Sequence, residues 1–287
     1  MSVETGQDIR VHEGAGRRPT LEIRDLNIEF SRRRVWTSVV YDVSLKIMPG
    51  EIVGVIGESG SGKTLSALAA LRLLPKQARV AKGSVQLGDV DVLAQSEVAM
   101  RDLRGNRMAL IPQDAMQSLN PTMRVGLQVA EPISLHRGKP LRSVANVATR
   151  LLETVGIARP AERAKAFPHQ FSGGMQQRAM IAMGLALAPD LLIADEPTTA
   201  LDVTVQAQVL KLLRDIRDAS GTSILFITHD LGVVAELCDW VYVMRYGRIV
   251  EQGSVTRIFT EPKEEYTRML LAATPSLHSP LHGGKRS

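Results

Sequence analysis

Short apolar segments rich in β-branched residues recur along the chain between turn residues. They cover residues 52–56, 108–111, 191–194, 223–228 and 240–244. A run of four to eight such residues is typical of a strand that is buried on both faces of a sheet. Residues 21–30 instead alternate apolar and polar positions, and residues 35–47 follow as a second strand. The pattern therefore predicts an α/β protein that also contains an antiparallel β-hairpin.

Helical patterns alternate with these strands. The predicted helices, each with the residue that ends it, are 65–74 before Pro75, 173–187 before Pro189 and 203–217 before Gly221. Residues 115–170 carry few strand signals, and we interpret them as an inserted helical region. Its predicted breaks are Pro121, Pro132, Pro140, Pro160 and Pro168.

Smaller segments complete the predicted organisation. Residues 81–92 form a short hairpin with Gly83 and Gly88 at its turns. Residues 252–273 are predicted to form a helical segment on the surface. Residues 1–19 and 275–287 contain glycine and proline with little apolar periodicity, so we expect both ends to be mobile tails.

The composition limits the classes of protein that fit this pattern. The chain has 287 residues, of which 44% are hydrophobic and 23% charged. No apolar run approaches the roughly 20 residues of a membrane-spanning helix, and the polar N-terminus does not resemble a secretory signal. The single cysteine, Cys238, excludes an internal disulfide and suits a reducing cytoplasm. The net charge of +5 comes with scattered arginines, which favours a solvated surface over nucleic-acid binding.

The strongest chemical motif follows the first buried strand. Residues 57–64 have the pattern G-x-x-x-x-G-K-T and stand between a strand and a helix, which is the context that a phosphate-binding loop requires. The residues predicted to bind nucleotide are Gly57, Glu58, Ser59, Gly60, Ser61, Gly62, Lys63 and Thr64. Glycines let the backbone present its N–H groups to a polyphosphate, and the helix adds its positive end. We expect Lys63 to reach the β- and γ-phosphates and the Thr64 hydroxyl to hold Mg²⁺.

Polar side chains follow three other buried strands. Asp195 and Glu196 end one of them, and neighbours on a strand point to opposite faces, so the two carboxylates have different predicted roles. Asp195 is predicted to hold Mg²⁺ and Glu196 to orient or deprotonate a water molecule. Gln113 is predicted to reach Mg²⁺ or the attacking water, and His229 to contact the γ-phosphate rather than only to cap a helix.

Two features lie away from these strand ends. Ser172, Gly173 and Gly174 open a helix whose N-terminus is a second candidate anion site, although a capped core helix is the plain alternative. Trp36 precedes the phosphate loop, where an aromatic ring can stack on a nucleotide base. Covering the sheet edge is an equal alternative for Trp36, and Phe30 and Tyr41 are rival stacking residues.

The order and spacing of these motifs resemble the ATP-binding subunits of ABC transporters over about residues 20–274. In that family they are the Walker A loop at 57–64, the Q-loop at Gln113, the signature at 172–174, the Walker B carboxylates at 195–196, the D-loop at Asp202 and the switch His229. The resemblance implies a P-loop NTPase (RecA-like) core with an antiparallel β subdomain and an inserted α-helical subdomain at about 115–170. It also implies one ATPase domain over residues 20–253 and adds Asp202 to the nucleotide-binding residues.

Finer features resemble the dipeptide, oligopeptide and nickel importer branch of that family. They are residues 118–123, 168–175 and 201–208, together with a C-terminal extension at 254–274. Met175 stands where the general signature has Gln, Pro112 where an aromatic residue is usual, and Glu264 where Pro or His is expected. The extension lacks the cysteine cluster of some relatives, so we predict no iron–sulfur centre.

The resemblance implies that ATP and Mg²⁺ drive closure of a dimer and that Glu196 directs hydrolysis. The implied partners are two transmembrane permease subunits, a second and related ATP-binding subunit, and indirectly an extracytoplasmic solute-binding protein, but no nucleic acid. The implied location is the cytoplasmic face of the inner membrane. Di- or oligopeptides are the first expected solutes. Nickel or opine- and sugar-like solutes, and a soluble ABC-type ATPase that acts on nucleic acid or ribosomes, are the alternatives.

Overall fold

Two β-sheets and the helices around them make up the part of the chain that the computed structural model describes, residues 17–33, 35–199 and 201–273. The strands are β1 (Leu21–Arg32), β2 (Val35–Ile47), β3 (Ile52–Ile56), β4 (Ala78–Leu87), β5 (Val90–Asp91), β6 (Met108–Ile111), β7 (Leu191–Asp195), β8 (Ser223–Thr228), β9 (Trp240–Arg245) and β10 (Arg248–Ser254). The helices are α1 (Lys63–Ala70), α2 (Glu97–Asn106), α3 (Ala115–Ser118), α4 (Val125–Arg137), α5 (Leu141–Thr154), α6 (Pro160–Arg163), α7 (Gly173–Gly184), α8 (Val203–Ser220), α9 (Leu231–Leu237), α10 (Val255–Thr260) and α11 (Glu265–Ala272).

The larger sheet brings the predicted polar strand ends together. Its order is β10-β9-β3-β8-β7-β6, and the strands from β9 to β6 run parallel. Every residue of β3, β7 and β8 is buried, as their continuous apolar sequences predict. Because parallel strands point the same way, the residues that follow β3, β6, β7 and β8 lie along one edge of the sheet. The predicted α/β architecture is confirmed.

The smaller sheet is antiparallel, in the order β2-β1-β4-β5. The predicted hairpin of β1 and β2 is confirmed, but the prediction that Gly83 lies at a turn is wrong. Gly83 lies within β4 at a φ of 109°, and a Cβ added there would be 2.7 Å from the carbonyl oxygen of Arg24. The pairing of β1 with β4 shifts register between Arg24 and Asn27. Gly83 therefore lets two strands approach closely at a bulge.

The inserted region is helical as predicted, with α3 to α6 between residues 115 and 163. Pro132 does not break it, because α4 continues through that position. The proline removes one backbone hydrogen bond, but Val129, Ala130 and Ile133 beside it are buried, and their packing holds the helix.

Three further boundaries differ from the sequence predictions. Helix α1 ends at Ala70, because Arg72 adopts a left-handed conformation with a φ of 51° well before Pro75. Helix α2 was not predicted, although the Ser96 side chain caps it by accepting from the Ala99 N–H. Residues 252–254 continue β10 rather than beginning a helix.

The predicted tails, 1–19 and 275–287, lie outside the described residues except for 17–19. Among the helices described, none has both the length and the apolar character that crossing a bilayer demands.

Candidate active site

The phosphate-loop motif joins the C-terminal end of β3 to the first residue of α1. Gly57 has a φ of 148°, and a Cβ added to it would lie 2.1 Å from the Met244 carbonyl oxygen in β9. No other residue type fits at that approach. Gly62 precedes α1 in a left-handed conformation with a φ of 101°, so the loop turns directly into the helix N-terminus.

The Lys63 side chain lies inside the loop and is only 6% exposed. Its Nζ donates to the carbonyl oxygens of Gly57 at 2.7 Å and Glu58 at 2.8 Å, and to Ser61 Oγ at 3.4 Å. Burial lowers the pKa of Lys63, and nearby carboxylates, foremost Glu196, oppose that shift. The loop thus holds a buried cation at the position where a polyphosphate would be cradled.

Thr64 and Asp195 form a pair of oxygen ligands beside Lys63. The Thr64 hydroxyl donates to Asp195 Oδ1 at 3.1 Å, and the aspartate is 7% exposed. Burial raises the pKa of Asp195, against the opposing effects of the Thr64 hydrogen bond and the Lys63 charge. A hydroxyl and a carboxylate are hard oxygen ligands of the kind that Mg²⁺ takes alongside phosphate oxygens. The pair therefore fits the predicted metal site.

Glu196 lies at the centre of a hydrogen-bonded group. Its Oε2 accepts from Gln113 Nε2 at 3.0 Å and from the Thr199 hydroxyl at 3.0 Å. Its Oε1 lies 3.2 Å from His229 Nδ1. The loops after β6, β7 and β8 supply these side chains, so the sheet topology itself assembles the group. Gln113 was predicted to reach the metal, and its amide hydrogen bond among the described contacts is to Glu196.

The two adjacent carboxylates diverge as predicted, but the predicted cause is wrong, because only Asp195 lies on the strand. Asp195 is the last residue of β7, whereas Glu196 has already left the strand with a φ of 46°. The Glu196 N–H still donates to the Ile227 carbonyl oxygen at 2.8 Å. The left-handed turn aims the Glu196 side chain at Gln113 and His229, while Asp195 faces Thr64. Such strain is typical of functional positions.

Sequence reasoning assigned no role to Thr199. The turn that follows Glu196 returns the Thr199 N–H to the Glu196 carbonyl oxygen at 3.1 Å. This places the threonine hydroxyl on the glutamate side chain. The sequence signal that could have identified Thr199 is a hydroxyl residue shortly after a strand-end glutamate.

The second predicted anion site lies elsewhere on the chain. Ser172 caps α7 by accepting from the Met175 N–H at 3.3 Å. Ser172 and Gly174 border a cavity of about 250 Å³ with Arg178, and its lining contains no residue of the phosphate loop. Asp202 caps α8 by accepting from the Val205 N–H at 3.0 Å. A Cβ added to Gly174 would lie 2.4 Å from a methyl of that same Val205, so the second site and Asp202 share the start of α8.

Trp36 lies on β2 and is 39% exposed, with the Arg79 guanidinium 4.1 Å above its ring. Tyr41 is connected more directly to the phosphate loop. Its N–H donates to the Gly247 carbonyl oxygen, and the Gly247 N–H donates to the Ser61 carbonyl oxygen. The Arg79 guanidinium already covers one ring face of Trp36, so base stacking by Trp36 stays a prediction.

Known proteins resemble this chain over most of its length. The family model described as ABC transporter matches residues 40–199. A probable peptide ABC transporter ATP-binding protein of Sinorhizobium fredii is 50% identical over 89% of this chain and 76% of its own length. An oligopeptide transport ATP-binding protein of Bacillus subtilis is 46% identical over 90% of this chain and 73% of its own length.

A solved structure shares the fold. It is a dimeric ATP-binding cassette in a post-hydrolysis state with ADP and phosphate bound. It superimposes with a TM-score of 0.73 at 23% identity and covers 82% of this chain and 98% of its own.

Proposed function

The chain belongs to the ABC transporter family of ATP-binding proteins, and on that premise we propose that it hydrolyses ATP to drive the import of di- or oligopeptides through partner permeases. The observation that carries the proposal is the convergence of Gln113, Thr199 and His229 on Glu196, beside the Thr64–Asp195 pair. Three relatives, 50%, 46% and 44% identical, are named as peptide, oligopeptide and dipeptide transport proteins, which supports peptides as the solute.

In the proposed reaction, the loop N–H groups and Lys63 bind the β- and γ-phosphates of ATP. Thr64 and Asp195 would hold Mg²⁺, which would neutralise charge that develops on the phosphates. Glu196 accepts a hydrogen bond from the attacking water. Gln113, Thr199 and His229 fix the carboxylate in place, because they contact both of its oxygens.

The proposal includes a second ATP-binding subunit. The lining of the cavity beside Ser172 and Gly174 contains no residue of the phosphate loop, so the two candidate anion sites do not form one pocket within a single chain. A partner subunit that presents its own α7 helix to the loop would complete each site. We propose a related but different ATPase as that partner, because Met175 departs from the general signature.

Gly173→Ala is expected to separate binding from hydrolysis. No atom lies within 4 Å of a Cβ added at Gly173, so the substitution leaves the chain's own packing unchanged. In the proposed dimer that surface faces the partner's nucleotide, where a methyl group obstructs closure. We expect normal thermal unfolding and ATP binding by the isolated chain, with loss of the cooperative ATP hydrolysis of the assembled transporter. Calorimetry, ATP titration and ATPase assays measure the three properties.

Gly174→Ala is the matched contrast, since its added Cβ would lie 2.4 Å from Val205. Overpacking of this kind costs about 1–3 kcal/mol, so its unfolding temperature should fall. Full cooperative hydrolysis by Gly173→Ala would contradict the two-subunit site.

The membrane partners can be identified by trapping the closed assembly. Glu196→Gln should retain ATP and hold the complex closed, so tagged protein from detergent-solubilised membranes with ATP and Mg²⁺ should carry two permeases and a second ATPase. The wild-type complex in sealed vesicles, with its solute-binding protein outside, should then accumulate a labelled peptide only when ATP is enclosed inside. Recovery of ribosomes or DNA-bound proteins instead, or ATP-driven uptake of nickel but not peptide, would overturn the proposal.

A further inference from the structure

The peptide group that joins Gly57 to Glu58 is held at both ends by side chains. Its carbonyl oxygen accepts from Lys63 Nζ at 2.7 Å, and its N–H donates to the Tyr266 hydroxyl oxygen at 3.1 Å. The C=O and N–H of a trans peptide point in opposite directions. Lys63 and Tyr266 therefore hold one peptide plane from its two sides, although Tyr266 is 208 residues distant from Glu58 in sequence.

Tyr266 is itself firmly placed. Its side chain is 4% exposed, and the Arg245 guanidinium lies 4.5 Å above its ring. Arg245 is the last residue of β9, next to Met244, whose carbonyl oxygen prevents any side chain at Gly57. Burial raises the pKa of Tyr266, so its hydroxyl stays neutral at physiological pH. The same end of β9 thus contacts both the phosphate loop and the tyrosine.

The helix that carries Tyr266 is tied to the sheet edge. The buried Glu251 carboxylate in β10 accepts from the N–H groups of Lys263 at 2.8 Å and Glu264 at 3.1 Å. The Arg268 guanidinium donates to the carbonyl oxygen of Lys263 at 3.0 Å. These contacts fix the chain where it enters α11. These hydrogen bonds therefore hold helix α11 in the position that places the Tyr266 hydroxyl against the phosphate loop.

We propose that Tyr266 is a positioning residue for nucleotide binding. Through it, helix α11 helps to set the conformation of the phosphate loop. The Tyr266 hydroxyl fixes the plane of the Gly57–Glu58 peptide, and that plane presents the carbonyl oxygen that holds the Lys63 ammonium. Gly57 has no side chain to restrict rotation of this peptide, so the restraint comes from its two hydrogen bonds. The inference rests on the proposed role of the loop as an ATP site.

Tyr266→Phe tests this with little disturbance, because the ring under Arg245 is kept. Loss of one hydrogen bond to a preorganised loop should raise the Kd and the KM for Mg–ATP about three- to tenfold. The kcat at saturating ATP should stay within about twofold of wild type, since the lost contact is not specific to the transition state. The measurements are ATP titration of the full chain, steady-state ATPase kinetics and thermal unfolding without nucleotide.

Tyr246→Phe is the matched control. Its ring also lies under Arg245, at 4.9 Å, but the residue is 73% exposed and no hydrogen bond of its hydroxyl is found among the described residues. It should bind ATP as wild type does. Unchanged affinity in Tyr266→Phe, with or without a lower unfolding temperature, would overturn the inference while wild-type binding still upholds the ATP site. Failure of the wild-type chain to bind ATP would overturn the ATP site itself and the inference with it.

Discussion

Glu196→Gln is expected to slow ATP hydrolysis by about 10²–10⁴-fold, the usual contribution of a positioned general base, while ATP still binds. The amide keeps the size of the carboxylate and can still accept from Gln113 and Thr199 through its oxygen. It cannot take a proton from water. The phosphate loop and the Thr64–Asp195 pair do not depend on this side chain for their contacts, so the Kd for ATP should change little. Single-turnover hydrolysis and ATP titration measure the two effects.

Glu58→Gln is the control for charge alone. Glu58 is exposed, and its carboxylate, like that of Glu196, raises the pKa of Lys63 by its negative charge. The contacts of Glu58 to Tyr266 and Lys63 use its backbone N–H and carbonyl oxygen, which glutamine keeps. Its side chain has none of the contacts to Gln113 or His229, so this variant should hydrolyse ATP at near the wild-type rate. If Glu58→Gln and Glu196→Gln slowed ATP hydrolysis to a comparable degree, the loss would come from the negative charge near Lys63 and not from a positioned base. Substantial hydrolysis by Glu196→Gln would exclude Glu196 as the base.

The sequence predicted the parts of the site that depend on local pattern. A buried strand, a glycine-rich loop and a helix follow one another at residues 52–70, so their arrangement is fixed by short-range geometry. The strand-end positions of Gln113, Glu196 and His229 were also predictable, because apolar runs of this kind form parallel strands whose ends meet. The hydrogen bonds between these side chains were not predictable from the sequence, because the left-handed turn at Glu196 decides where its carboxylate points.

The missed features are those that depend on distant neighbours. Gly83 resembles a turn residue in isolation, and only the approach of β1 makes it a bulge. Pro132 resembles a helix breaker, and only buried packing around it keeps α4 continuous. Tyr266 resembles an ordinary core aromatic of a C-terminal helix, and nothing near it in sequence points to Glu58. Tertiary contacts override local propensity at each of these positions.

Asp195→Asn is expected to have two effects of opposite sign. Removing the carboxylate should weaken Mg²⁺-dependent ATP binding at least about tenfold, because losing a residue that only supports a metal ligand already costs about 10–100-fold. The same change should stabilise the nucleotide-free chain at neutral pH. Burial raises the pKa of Asp195 above its value in the unfolded chain, so ionisation of this group opposes folding.

The pH dependence follows from that direction. Below the unfolded pKa of Asp195 both states carry the neutral acid, and the asparagine variant has no advantage from this source. As the pH rises through the folded pKa, wild-type Asp195 ionises at a cost that the variant avoids, so the difference in unfolding temperature should grow and then level off. Mg²⁺-dependent ATP binding by wild type should weaken as the pH falls through the same range, because a proton competes with the metal for the carboxylate.

Asp215→Asn provides the control for removal of a surface aspartate. Its side chain is 56% exposed and paired with Lys211 on α8, away from the loop, so neither ATP binding nor its pH dependence should change. The measurements are the Kd for ATP with and without Mg²⁺ and the unfolding temperature, each across a pH series. A lower unfolding temperature for Asp195→Asn at neutral pH would contradict the burial cost. Wild-type Mg²⁺ dependence in that variant would remove Asp195 from the metal site. A lower unfolding temperature together with wild-type Mg²⁺ dependence would mean that the buried Asp195 carboxylate stabilises the fold and has no role in nucleotide binding.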